Sequence, residues 1–168
     1  MILTQNEILN EIRRARVKIE PFDIESIGPA SIDLSIDNKI RVFNKDKAVT
    51  RVKEELDYKI ITKIIDISKG YILKPRELVL GITKEKITLP EDISGWLQSR
   101  SRFARFGLMS HITSPFICPG VSNKQVLEIF NAGPRSLRLM PDIKICQLIL
   151  QRCSGKARYD GIFKEQTL

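Results

Sequence analysis

The sequence predicts a mainly β protein, a distorted barrel or jelly-roll-like sandwich led by a short N-terminal helix. Two observations predict it. Apolar and polar residues alternate with period two in many short runs, and glycine or proline separates those runs at close spacing. The only run read as a helix precedes them all.

Taken in order, Thr4-Gln5-Asn6-Glu7 has the form of a capping box, a hydroxyl at the cap and a Glu three residues on. Ile8, Leu9 and Ile12 follow at helical spacing, so residues 6 to about 15 are expected to form one amphipathic helix. The pattern then changes. Ile32, Leu34 and Ile36 alternate with polar residues, as do Ile40 with Val42 and Leu78, Leu80 and Ile82. Further short strands are expected at 86–89, 95–98, 124–130, 136–139 and 144–151. The punctuation comes from Gly28-Pro29, Gly70, Pro75, Pro90, Pro119-Gly120, Gly133-Pro134 and Pro141. Residues 44–57 are the most charged and least patterned stretch, and are expected to form a mobile excursion. No repeat or linker divides the chain, so residues 1–168 read as a single domain. Residues 154–168 form a C-terminal arm with few apolar side chains, expected to order only on a ligand or a neighbouring subunit.

Bulk composition narrows the function. A chain of 168 residues can bury a proper core. The net charge of +8, from 28 basic and 20 acidic residues, suits an anionic partner such as nucleic acid or a polyphosphate. The charges are scattered and aromatics are few, which argues against a nucleic-acid stacking platform. No apolar run approaches the roughly 18 residues of a membrane span, and Met1-Ile2-Leu3-Thr4 does not open a signal peptide. Cys118, Cys146 and Cys153 form no CxxC, which fits a reducing cytoplasm. With His111 the sole histidine, the His/Cys set of a zinc deaminase is missing and a Ser-His-Asp triad is remote.

Two segments carry chemistry. Val126-Leu127-Glu128-Ile129-Phe130 reads as a strand with a carboxylate inside it. Alternation puts Val126, Glu128 and Phe130 on one face, and two large apolar partners argue for burial. Burial raises a carboxyl pKa, which makes Glu128 a candidate general acid or base. The alternative is a Glu facing solvent on a half-exposed strand. Upstream, Gln98-Ser99-Arg100-Ser101-Arg102-Phe103-Ala104-Arg105 gathers three arginines and two serines, groups suited to bidentate and hydroxyl contacts with phosphate. A solvated basic turn is the plain alternative.

Four segments together resemble the dUTPase and dCTP deaminase superfamily. Pro29-Ala30-Ser31-Ile32-Asp33-Leu34 is similar to its first motif, and residues 98–108 to its R-S-S-x-A-R-x-G-L phosphate segment. Residues 117–131 resemble the third motif and 141–150 the fourth, in family order over nearly the whole chain. The resemblance implies a dUTPase-type β fold, a homotrimer with active sites shared between subunits, and Mg²⁺ held through the nucleotide triphosphate. Val126-Leu127-Glu128-Ile129-Phe130-Asn131 looks like the V-L-E-x-x-N of the deaminases, where dUTPases carry an apolar residue. Zinc-independent deamination of dCTP to dUTP and ammonia is therefore the leading expectation. Glu128 would shuttle protons and Ser101 would polarise or position the reacting centre. The resemblance places Arg100, Arg102, Arg105 and Gln147 on phosphate. Thr113, Ser114, Val126, Tyr159 and Gln166 join them as substrate-binding residues.

The departures qualify this. Cys118 stands where the third motif has an Asp that positions water at the phosphate and contacts the sugar. A thiol, with an ordinary pKa of about 8.5, replaces it poorly at neutral pH. This weighs against phosphohydrolysis more than against deamination. Phe116 stands where bacterial deaminases have Arg, although some relatives carry a bulky apolar residue there. The arm keeps Tyr159, Gly161 and Gln166 of the family's Y-x-G-K-Y-Q-G-Q but lacks the expected Lys, which implies an altered lid. A dUTPase, a bifunctional deaminase-dUTPase and a non-catalytic nucleotide-binding paralogue remain as alternatives, and nucleic-acid binding as the weakest.

Overall fold

The computed structural model describes residues 1–46 and 48–168; Lys47, inside the charged excursion, lies outside the described residues. Helix α1 (Gln5–Arg13) leads into β1 (Lys18–Glu20), a 3-10 turn at Ile24–Ser26 and the long β2 (Ile32–Phe43). After the excursion and a second 3-10 turn (Tyr58–Ile61) come β3 (Thr62–Asp66), β4 (Tyr71–Leu73), β5 (Leu78–Thr88) and β6 (Ile93–Ser99). One helical turn, α2 (Ser101–Ala104), precedes β7 (Leu108–Met109), β8 (Phe116–Ile117), β9 (Ser122–Asn131), β10 (Leu137–Leu139) and β11 (Lys144–Arg152).

Nine strands share one curled antiparallel sheet whose main path runs β7-β9-β5-β2-β11-β6-β8, while β10 and β4 form a separate pair. Strand β5 is its spine. One edge pairs with β9, the other with β2 and, beyond it, β1. The two runs predicted at 32–36 and 40–42 are one strand. Its register against β5 shifts between Ile36 and Ile40, and that irregularity is the break in alternation seen in the sequence. Ile32, Leu34, Ile36, Leu127, Ile129, Ile145 and Leu148 fill the core with essentially no exposure. Each such side chain contributes about 1.5–3 kcal/mol over its exposed state.

The N-terminal helix starts one residue before its expected position. Thr4 is its N-cap, but the side chain makes no cap hydrogen bond, so the expected capping box is not formed. The helix is held by packing and ion pairs instead. Ile8 is fully buried, and Glu11, 2% exposed, takes Arg16 at 2.7 Å and Arg152 of β11 at 2.7 Å. Burial pushes the Glu11 carboxyl up, but hydrogen bonds from the two guanidinium groups and their charges pull it below its ordinary value of 4.5. Arg16 also reaches Asp92 beside β6, so one buried carboxylate fastens the helix to two strands.

Glu11→Gln keeps the shape and removes the charge. Denaturant unfolding at neutral pH should show a loss of about 2 kcal/mol. A carboxyl held low stabilises the fold above its unfolded value and loses that contribution as it protonates. The gap between wild type and variant should therefore narrow below about pH 4.5.

Candidate functional site

Strand β9 alternates strictly over its length. Asn123, Gln125, Leu127, Ile129 and Asn131 are buried, and Val126, Glu128 and Phe130 are half-buried. Val126 and Glu128 form part of the wall of a cavity of about 590 Å³, a volume suited to a small-molecule ligand. Leu78 and Leu80 of β5, the 111–118 loop and residues of the C-terminal arm form other parts of the wall. Glu128 is thus not a buried strand carboxylate, as its apolar neighbours on the same face suggested. Val126 lines the cavity with it, while Leu127 and Ile129 take the core.

Thr113 holds the carboxylate. Its backbone N–H donates to Glu128 Oε2 at 2.8 Å, and its hydroxyl lies 2.8 Å from both Oε1 and Oε2. Such contacts fix the orientation of an ionised carboxylate while leaving acceptor capacity toward the cavity. Ser114, Tyr159 and Gln166 line the same cavity, so six of the predicted residues meet there: Glu128, Thr113, Ser114, Val126, Tyr159 and Gln166. Cys118 lines it too, half-buried, and the Phe116 ring packs 4.9 Å from Trp96.

The other predicted residues form a second group that does not line this cavity. In the sheet Gln147 of β11 lies between Asp33 of β2 and Gln98 of β6, so the three share one face. Arg100 pairs with Asp33 at 2.8 Å and donates to the Lys144 carbonyl at 2.6 Å. Burial raises the Asp33 carboxyl, and the charges of Arg100, Lys144 and Arg102 oppose it without cancelling it. Ser101, Arg102 and Arg105 are exposed at the single turn of α2. One chain therefore displays a carboxylate in a cavity and a cationic, hydroxyl-bearing group elsewhere.

Sequence reasoning used His111 only to exclude zinc and triad chemistry. In the structure it lines the cavity, with both ring nitrogens buried and without a hydrogen-bond partner. Asn123, Gln125, Phe43 and Tyr58 also line it and were not singled out. Buried polar residues on β9 were the available signal for Asn123 and Gln125. Tyr58 carried none, since it follows an unpatterned stretch. The arm, expected to order only on a ligand or a neighbour, instead packs on its own chain, because β9 and the loop before it offer hydrogen-bonding groups that its backbone meets. Among the described residues, no group of three or more His, Cys, Asp and Glu could hold a metal ion, and no helix is long and apolar enough to cross a membrane.

The dCTP deaminase-like family model matches residues 2–153. A protein of Mycolicibacterium vanbaalenii named "dCTP deaminase, dUMP-forming" is 36% identical over 161 residues, 95% of this chain and 84% of its own. A protein of the same name from Corynebacterium glutamicum is 37% identical over 159 residues, covering 94% and 84%. In three dimensions the fold resembles the 2'-deoxycytidine 5'-triphosphate deaminase of Agrobacterium tumefaciens, with TM-score 0.69 and 21% identity over 91% of this chain. This chain spans 48% of that protein's length. A phage 80alpha dUTPase shares the fold more loosely, with TM-score 0.52 and 13% identity over 87% and 96% of the two chains. The cavity carboxylate, the motif order and these likenesses agree: this chain belongs to the dCTP deaminase-like family.

Proposed function

We propose that this chain is a dCTP deaminase that works without zinc, with Glu128 as its proton shuttle. One observation carries the reading: an ionisable carboxylate stands in a nucleotide-sized cavity, held at both oxygens by Thr113. With the cytosine ring in that cavity, Glu128 takes a proton from water as the water oxygen bonds C4. It delivers that proton to ring N3. It then carries the proton of the new hydroxyl to the amino nitrogen. The C4–N bond breaks, ammonia leaves and a carbonyl remains. A single carboxylate serving both steps needs a fixed position and access to both faces of the transfer, which the Thr113 contacts supply.

The triphosphate belongs with the second group. Arg100, Arg102 and Arg105 offer guanidinium donors, and Ser101 and Gln147 offer neutral ones, a set suited to phosphate oxygens. The two groups lie apart in one chain, which supports a homotrimer whose sites join the Glu128 cavity of one subunit to the arginine segment of a neighbour. Mg²⁺ fits this scheme as a passenger of the nucleotide, since guanidinium groups do not ligate it and its ordinary ligands are phosphate and water oxygens. When bound it neutralises phosphate charge, and the residues facing that phosphate would be Arg100, Arg102, Arg105 and Gln147. The free cysteines support placing the enzyme in the cytoplasm.

A second reading, continuation from dUTP to dUMP, is favoured by the names of the relatives. It is opposed by Cys118, which lines the cavity where a carboxylate would position water for attack on phosphate. Chromatography of the products from dCTP separates the two, because dUMP appears only if both steps occur.

Glu128→Gln should remove ammonia release from dCTP by at least about 1,000-fold while nucleotide binding, followed by calorimetry, changes little. Near wild-type turnover in that variant would refute the proton shuttle. Thr113→Val keeps the backbone donor and loses the hydroxyl. It should lower kcat about tenfold, with a smaller change in KM, when steady-state rates are compared.

A further inference from the structure

The C-terminal arm is fastened to the Glu128 cavity by groups that neither the motifs nor the proposed chemistry assigns. Its first contacts are backbone ones: Ala157 N–H donates to the Glu91 carbonyl at 2.9 Å and Tyr159 N–H to the Pro119 carbonyl at 3.0 Å. Gly120, in the left-handed region at φ +74, lets Arg158 pass close by. A Cβ at position 120 would lie 3.1 Å from the Arg158 Cα. Beyond this point two side chains take over. The Asn123 amide donates to the carbonyls of Phe163 (2.9 Å) and Lys164 (3.3 Å), and the Tyr58 hydroxyl donates to the Thr167 carbonyl at 3.0 Å.

Both anchors are themselves mounted. The Asn123 carbonyl oxygen accepts from Gln125 Nε2 at 2.5 Å, which leaves its NH₂ directed at the arm. Tyr58 lies over buried Arg41, whose guanidinium carbon is 5.7 Å from the ring centroid. Thr62 ties the two by accepting from Arg41 and donating to the Tyr58 carbonyl. Within the arm, the Tyr159 ring folds over Gly161, where a Cβ would collide with the phenol oxygen, and that oxygen accepts from Phe163 N–H at 3.3 Å. The result sets Tyr159, Phe163 and Gln166 into the cavity wall.

We infer that Asn123 and Tyr58 are positioning residues that hold the arm as a strap over the cavity of its own chain before nucleotide arrives. The inference deepens the deaminase reading and rests on it for the identity of the ligand, although the strap itself does not. A strap closed in advance lowers the ordering cost of binding. Its release should therefore raise KM for dCTP more than it lowers kcat.

The test uses the full chain with Asn123→Ala and Tyr58→Phe, the latter keeping the ring over Arg41. Without nucleotide, and well below the melting temperature of every chain, trypsin cuts after Arg158 and Lys164 should be about fivefold faster in each variant. KM for dCTP should rise by a similar factor. Cleavage at the wild-type rate in both variants would overturn the anchoring, and faster cleavage with unchanged KM would overturn the positioning role. Because proteolysis needs no substrate, a wild-type chain that fails to turn over dCTP would sink the deaminase reading, while the cleavage rates would still decide whether the strap exists.

Discussion

The candidate site depends on which way β9 turns its side chains. In a strand with period two, Leu127 and Ile129 cannot enter the core without Glu128 facing the other way. Pairing with β5 locks that choice, since Leu127 sits opposite Gly81 and Glu128 opposite Leu80. Gly81 is packed against the Ile36 and Ile129 side chains, so the core side is filled to contact. A slip of one residue would bury the carboxylate and expose two core residues. The hydrophobic core thereby positions the Glu128 carboxylate, and Thr113 only orients it.

Other carboxylates show what burial does in this fold. Glu85 of β5 is buried, and desolvation raises its carboxyl although it accepts from Ser35 N–H at 2.9 Å. Glu11 is as buried but paired with two arginines, and is lowered. Neither borders the cavity. The group proposed for catalysis differs from both in being half-buried at a cavity wall, so it stays accessible to water and to a ring. Cys146 is buried and its thiol is pushed far up by desolvation, which makes it an inert core residue. Cys118, by contrast, lines the cavity.

The sequence revealed the fold where alternation was long. β6, β9 and β11 stand close to their predicted bounds, whereas β5 joins the two runs predicted at 78–82 and 86–89 across a register shift between Ile82 and Lys86. β1, β3, β4, β7 and β8 were missed because two to five residues are too few to show a period, and their pairing is decided by neighbours far along the chain. The sequence singled out Glu128, which lines the cavity, but its burial was misjudged. Val126 and Phe130 are large and apolar, and only the three-dimensional sheet shows that their face borders a cavity. Thr113 could be named only by resemblance, since a hydroxyl fifteen residues from Glu128 gives no local signal. The arm was misjudged for the opposite reason. Its composition is polar, yet it is held mainly through backbone carbonyls, which composition does not report.

In the proposed function, Glu128 and the arginine segment serve one reaction from two different subunits. Subunit complementation tests it most directly. Glu128→Gln and Arg105→Ala chains, each inactive alone, are unfolded together in equal amounts, refolded and assayed for ammonia release from dCTP. If sites are shared between neighbours, about a quarter of them recover both wild-type groups, and roughly that share of wild-type activity should return. If each chain carries a complete site, no mixture contains an intact one. Activity would then stay at the level of the parents, and that result would contradict the account.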